Sequence, residues 1–282
     1  MLDPLSNWLV WIRFLPLKIN ITDKVESLGH IIVQFLERLG FAMRLFWDSF
    51  YWLIVGRKYK QRLRFAQVVK HIKMDGVDAL PIVLALALVV GMMLAIQLLY
   101  ALETFGAQSQ VLLAIAKSVT REFSPLITGI IVAGRSGAAI AARIGSQVVS
   151  QEIDALKVMG VVPVRYLVLP PLLALIISMP MLIIGADIVA IFGGALFSVG
   201  KLDMSITAYM AESFEVLVVG DILQGLIKSV VFGIIIVLVG ATTGFYVTGG
   251  AEGVGKATTT AVVVSISFIV LADMIASYFL TQ

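Results

Sequence analysis

The stretch ALPIVLALALVVGMMLAIQLLY (79–100) decides the fold. Its 22 residues carry no charge, and about 20 apolar residues suffice for a helix to cross the ~30 Å hydrocarbon core of a bilayer. Working outward, four further apolar regions follow at 111–144, 166–199, 218–247 and 257–280. The second is long. As one helix its 34 residues would measure about 51 Å, so it must tilt, kink at Pro125 or project from the membrane. Pro170, Pro171 and Pro180 mark expected distortions of the third span. Over the 282 residues, 60% are hydrophobic and 14% charged, against roughly 45–50% and about 25% in soluble domains. The expected fold is an all-α polytopic membrane protein with five transmembrane helices.

Charge placement gives the topology. Twelve of the 21 basic residues precede residue 74, seven of them between Arg57 and Lys73. A basic run beside the first span marks the cytoplasmic side. Five crossings then place the N-terminus inside and the C-terminus outside. The loops agree: 101–109 and 201–217 carry Lys201 against Glu103, Asp203, Glu212 and Glu215, whereas the inside loop 143–165 carries Arg143, Lys157 and Arg165. Residues 1–26 form an extension without the pattern of a signal peptide. Residues 27–75 hold the basic segment and a stretch, 28–55, whose apolar residues recur at helical spacing around Glu37, Arg38, Arg44 and Asp48. That pattern, ending in Trp47, Tyr51 and Trp52, suits an amphipathic helix at the membrane interface. Residues 76–282 form the membrane domain.

Ionisable residues inside spans are costly and face a partner or a wet cavity. In this topology Arg121 and Glu122 on span two, Lys228 on span four and Asp273 on span five all fall in the outer half of the bilayer, about 10–15 Å from the outer ends of their helices. Their four formal charges cancel. Spacing leaves two readings open: salt bridges that fix helix packing, or a polar patch that receives an amphipathic ligand. Asp187 and Asp221 lie in spans without an evident partner.

Small residues at 133, 137, 141 and 145, with a second row at 134, 138, 142 and 146, let helices approach closely. Gly134, Gly137, Ala138 and Ala141 are the expected packing positions, within the chain or between two copies. Gly250–Lys256 imitates a phosphate-binding loop, but Ala257 lacks the hydroxyl that such a loop supplies to magnesium, and the segment is a short turn between spans. The absence of Cys excludes thiolate catalysis and cysteine-ligated metals, and two isolated histidines (His30, His71) do not make a metal site. The formal charge of +3 is too small to suggest a nucleic-acid partner.

Five motifs carry a resemblance: Arg-Glu-Phe-Ser-Pro (121–125), Ala-Gly-Arg-Ser-Gly-Ala (133–138), Gln-Glu-Ile-Asp-Ala-Leu-Lys-Val-Met-Gly (151–160), Leu-Ile-Lys-Ser-Val-Val-Phe (226–232) and Gly-Lys-Ala-Thr-Thr (255–259). In this order and spacing the chain resembles the MlaE-like (YrbE-like) permease subunits of bacterial ABC lipid transporters that work with MCE-domain proteins. The resemblance implies a homodimeric inner-membrane permease bound to a cytoplasmic ATPase, which holds the ATP and magnesium, and a periplasmic MCE-domain partner. It implies a phospholipid-class substrate at Arg121, Glu122, Lys228 and Asp273, and no catalytic residue or cofactor in this chain. It also implies a coupling helix at about 150–160, with Glu152, Asp154, Leu156 and Lys157 facing the ATPase. Gln151 departs from the family's usual acid there. Two other classes compete: an ion-coupled secondary transporter that relays protons through the membrane charges, and a scaffold in which they are structural.

Overall fold

The computed structural model describes residues 21–55, 65–106 and 110–280. The extension 1–26 therefore lies largely outside the described residues, as do Arg57, Lys58, Lys60, Arg62 and Arg64 of the basic run. Among the described residues every regular element is helical. In chain order these are α1 (Ile21–Val55), α2 (Phe65–Glu103), α3 (Val111–Val149), α4 (Glu152–Val158), α5 (Val164–Leu202), α6 (Ile206–Val216), α7 (Val219–Phe245) and α8 (Gly250–Leu280). Helices α2, α3, α5, α7 and α8 are long and apolar enough to cross a bilayer. The five expected spans are these five helices.

Four of the five are longer than expected; α7, with 27 residues, is slightly shorter than 218–247. α2, α3 and α5 have 39 residues each, about 58 Å of helix. Hydropathy marks where a helix meets lipid; the backbone continues helical into the charged flanks, so Lys70, Lys73, Asp75 and Asp78 extend α2 beyond its apolar stretch. The region 201–217, expected as a loop, contains α6. Ser205 starts it, its Oγ accepting the Ala208 N–H at 3.1 Å, which satisfies one of the donors a helix start leaves open. Tyr209 of α6 is wholly buried against α5. Burial pushes its phenol up to about 12, against the opposing effect of the Ser198 and Ser213 hydroxyls beside it, so the ring docks α6 in its neutral form. Gly250–Lys256 is likewise not a turn but the first turns of α8, where Lys256 pairs with Glu252 at 2.7 Å. The reversal sits just before it, at Gly249 and Gly250 with φ of 85° and 69°, values that favour glycine.

The chain divides into two units, 1–41 and 42–282. In the first, α1 exposes Ile32, Phe35, Leu36 and Leu39 together with Glu37 and Arg38. In the second, Leu45 and Ser49 of the same helix are buried while Trp47 and Tyr51 are exposed.

The core of the larger unit is α5, whose most extensive neighbour is α2. Their backbones touch at two glycines. A Cβ on Gly91 would lie 1.9 Å from the Ala190 carbonyl oxygen, and one on Gly193 would lie 2.3 Å from that of Leu88. The buried row of α3 works in the same way against α7 and α8: a Cβ on Gly145 would meet Val247 at 2.7 Å, and one on Gly240 of α7 would meet the Gly137 carbonyl at 2.9 Å. Ala133 and Ala141 of this row are also buried. The second row differs, because Gly134 is exposed with nothing near its Cβ position and Ala138 is half-buried. Gly91→Ala should therefore lower the thermal unfolding midpoint of the detergent-purified protein, by about 1–3 kcal/mol of overpacking. Gly134→Ala should leave it unchanged. Equal effects of the two would contradict this packing.

Candidate functional site: a buried ammonium at the α3–α7–α8 junction

The site begins with a proline. Pro125 of α3 has no N–H to give the Arg121 carbonyl four residues earlier, and over Val119–Phe123 the helix widens into a π-type turn, a feature frequent at functional sites. The Lys228 ammonium of α7 supplies the missing donor, with Nζ 2.9 Å from Arg121 O. Gly225, one turn earlier on α7, makes that reach possible, since a Cβ there would sit 2.7 Å from Thr120 O. Lys228 Nζ also lies 2.7 Å from Glu122 Oε2, 2.8 Å from Ser277 Oγ and 2.9 Å from Asp273 Oδ1. Its side chain is 0% exposed. An ammonium so deeply buried is tolerable only when oxygens replace its water, and here two neighbouring helices, α3 and α8, contribute them. Ser277 completes the ring, 2.9 Å from Glu122 Oε1.

A second pair adjoins it. Arg121 Nε donates to Asp221 Oδ1 at 2.6 Å, and its Nη2 contacts the same oxygen. Asp221 Oδ2 accepts the Val218 N–H at 3.1 Å, so this buried carboxylate also caps the start of α7, where the helix dipole favours an anion. The four charges expected at one depth do converge, but Arg121 does not pair with Glu122 or Asp273. Its partner is Asp221, which the sequence left unpaired. Two cations thus meet three carboxylates, and the patch carries a formal −1 rather than zero. Lys228, Asp221 and Asp273 face inward, whereas the side chains of Arg121 and Glu122 are 30% and 38% exposed. The patch therefore presents one positive and one negative group side by side.

Residues 68–279 match the family model described as Permease MlaE. The chain belongs to the MlaE permease family. It is 35% identical over 256 residues to a probable ABC transporter permease protein of Rickettsia prowazekii, covering 91% of this chain and 97% of that one. It is 32% identical over 246 residues to the intermembrane phospholipid transport system permease protein MlaE of Haemophilus influenzae, covering 86% and 92%. The TRIGALACTOSYLDIACYLGLYCEROL 1 protein of Arabidopsis thaliana chloroplasts is 35% identical over 229 residues, 81% of this chain and 65% of that protein.

At the opposite end of this permease, α4 presents the segment expected to couple. Gly160 (φ 72°) ends it in a left-handed turn, with the Gly160 N–H bonded to Lys157 O at 3.0 Å and the Val161 N–H to Leu156 O at 2.9 Å, a glycine-terminated helix end. Ile153 is buried towards the bundle, Leu156 is half-buried, and Glu152, Asp154 and Lys157 are exposed. Asp154 and Lys157 pair with each other at 2.9 Å. Beyond them Val158 and Met159 are 89% and 67% exposed, an apolar edge beside these charges.

Sequence reasoning missed a clamp near that end. α2 widens at Ile72–Gly76 and α3 at Ala133–Gly137, and the two wide turns are tied together. Arg135 Nη1 donates to Met74 O at 2.8 Å and Ser136 Oγ to Asp75 O at 3.0 Å. Asp75, nearly wholly buried, pairs with His71 at 2.8 Å, and Arg143 sits 3.1 Å from the His71 ring. The available signals were His71 and Asp75 at i, i+4 and a polar Arg-Ser within a run of small residues.

The Arg121–Asp221 pair yields a stability prediction. Arg121→Met strands a buried carboxylate and should cost about 3–5 kcal/mol, read as a lower denaturant midpoint of the purified permease. Adding Asp221→Leu should recover most of that loss, apart from the lost cap. A double variant as unstable as the single one would contradict the pairing.

Proposed function

We propose that this chain is the permease subunit that moves phospholipid-class lipids between the inner membrane and a periplasmic MCE-domain partner, acting as a homodimer and driven by a separate cytoplasmic ATPase. The observation that carries the reading is the half-exposed Arg121–Glu122 face of an otherwise buried charge cluster. Exposed apolar residues (Ile222, Leu223 and Met274) stand beside its members on α7 and α8. An amphipathic molecule satisfies both kinds of surface. A zwitterionic headgroup fits best, with phosphate toward Arg121 and ammonium toward Glu122, because the formal −1 of the patch opposes a purely anionic one. The phospholipid transport named for the Haemophilus influenzae relative supports the substrate class.

The basic N-terminal segment favours a cytoplasmic N-terminus and a periplasmic C-terminus. In that orientation α4 faces the cytoplasm, and its half-buried Leu156 with the exposed Val158–Met159 edge offers a partner ATPase a small apolar contact ringed by charge.

Two experiments test this. Lys228→Met with Asp273→Leu removes one buried cation and one buried anion together, and leaves Glu122 partly solvated. The expected product is a stable dimer that retains ATPase activity with its partner but carries little phospholipid by native mass spectrometry and transports poorly. A double variant that binds and transports lipid normally would make the cluster structural. Leu156→Asp should abolish co-purification of the ATPase while the permease still folds and dimerises; unchanged co-purification removes α4 from the coupling role. Transport that needs no ATPase and collapses with the proton gradient would favour an ion-coupled carrier.

A further inference from the structure

Lys117 is a cation within a span that has no counter-ion in the chain. It lies six residues after Val111, where α3 begins, about 9 Å along the helix. It is half-buried, and among the described residues it forms no ion pair and no hydrogen bond. Arg121 and Lys228, the cations further into the same junction, are each held by carboxylates. The first turns of α3 pack against α2 and α6. The acids of those helices at this end, Glu103, Glu212 and Glu215, are exposed, and none of them pairs with Lys117.

The position of Lys117 follows from how α3 and α7 run. A Cβ on Gly225 would meet Thr120 O at 2.7 Å, one on Gly240 would meet Gly137 O at 2.9 Å, and one on Gly244 would meet Ala141 O at 3.0 Å. The contacts advance together along both helices, so the two are parallel. One turn before Thr120 and Gly225 stand Ala116 and Asp221. Lys117 is therefore level with Asp221 and with the Arg121 guanidinium bound to it. Thr120 faces α7, and at 3.6 residues per turn Lys117 and Arg121 fall on the same flank of that contact. Four residues apart on one helix, their Cβ atoms are about 5–6 Å from each other.

The two cations differ in what they have left to offer. Arg121 directs Nε and Nη2 to Asp221, whereas the Lys117 ammonium beside it is uncompensated. An ion at this depth faces a partner or a wet cavity, and a phosphate supplies both negative charge and acceptor oxygens to a lysine. Lys117 also alters the charge balance. With it the junction holds three cations (Lys117, Arg121 and Lys228) and three carboxylates (Glu122, Asp221 and Asp273), so the formal −1 becomes zero. The net repulsion of a purely anionic headgroup is then removed.

We propose that Lys117 is a specificity-determining residue: its ammonium binds the lipid phosphate beside Arg121 and admits anionic phospholipids as well as zwitterionic ones. The proposal rests on the headgroup reading of the Arg121–Glu122 face given above.

The test equilibrates the purified permease with an equimolar mixture of phosphatidylglycerol and phosphatidylethanolamine, exchanges it into detergent and reads the retained lipid by native mass spectrometry. The wild type should retain both. Lys117→Met should lower the ratio of retained phosphatidylglycerol to phosphatidylethanolamine about tenfold, the effect of one lost charge-assisted contact, and Lys117→Arg should restore it. Because Lys117 has no partner within the protein, Lys117→Met should leave the thermal unfolding midpoint in place. A lowered midpoint would reveal such a partner and overturn the proposal. An unchanged ratio in Lys117→Met, with lipid still bound, overturns this proposal alone and leaves Lys117 as a side chain that merely reaches the membrane surface. A wild type that retains neither lipid overturns the headgroup reading itself.

Discussion

A charged ammonium held inside a membrane bundle, with no water to solvate it, is the constraint on which the rest of the site depends. Lys228 can lie there only if oxygens surround it. The sequence provides them by removing something: Pro125 withholds an N–H, and the Arg121 carbonyl turns to Lys228 instead. Gly225 lets α7 approach near enough, and α8 contributes Asp273 and Ser277. Three helices are thereby fixed in azimuth as well as depth. Once Lys228 is saturated, the ionic groups left to face a ligand are its neighbours Arg121 and Glu122, which is why the surface of the patch is dipolar although its interior is dense with charge.

α3 connects this patch to the opposite end of the bundle. It carries the wide turn at Val119–Phe123 under the charge cluster and another at Ala133–Gly137, where Arg135 and Ser136 hold the wide turn of α2. Beyond these its last turns lead into α4. In the proposed transport cycle a force applied by the ATPase at α4 reaches the headgroup patch along one continuous helix. Its two π-type turns interrupt the regular hydrogen-bond ladder and are the places where such a helix bends at least cost.

How much of this was legible in the sequence follows from what each signal measures. Apolar run length reports contact with lipid, so all five spans were visible, but their ends were not: helix continues through Lys70–Asp78 in α2 because nothing there stops it. Counting residues from a span's end gives depth, and depth found Arg121, Glu122, Lys228 and Asp273. Depth is blind to rotation about the helix axis, so Asp221, at the very start of α7, looked unpaired although it binds Arg121. The small-residue rows of α3 were visible as spacing, but spacing did not show that Gly137 and Gly145 pack closely against their neighbours while Gly134 stands open. Gly91 and Gly193, where α2 and α5 approach most closely, lie in long apolar runs where a single glycine has no periodic signature. The Met74–Arg135 clamp depends on carbonyls released by wide turns, which composition does not encode.

The claim that the Arg121–Glu122 face receives a lipid headgroup is tested most directly by crosslinking. A photoreactive residue replacing Met274, exposed beside Asp273 on α8, is compared with one replacing Met181, equally exposed on α5. The purified permease is loaded with radiolabelled phospholipid, exchanged thoroughly into detergent and irradiated. A bound lipid should label the protein through position 274 and not through position 181. Equal labelling at the two positions, or none at 274 while phospholipid remains bound, would contradict the account.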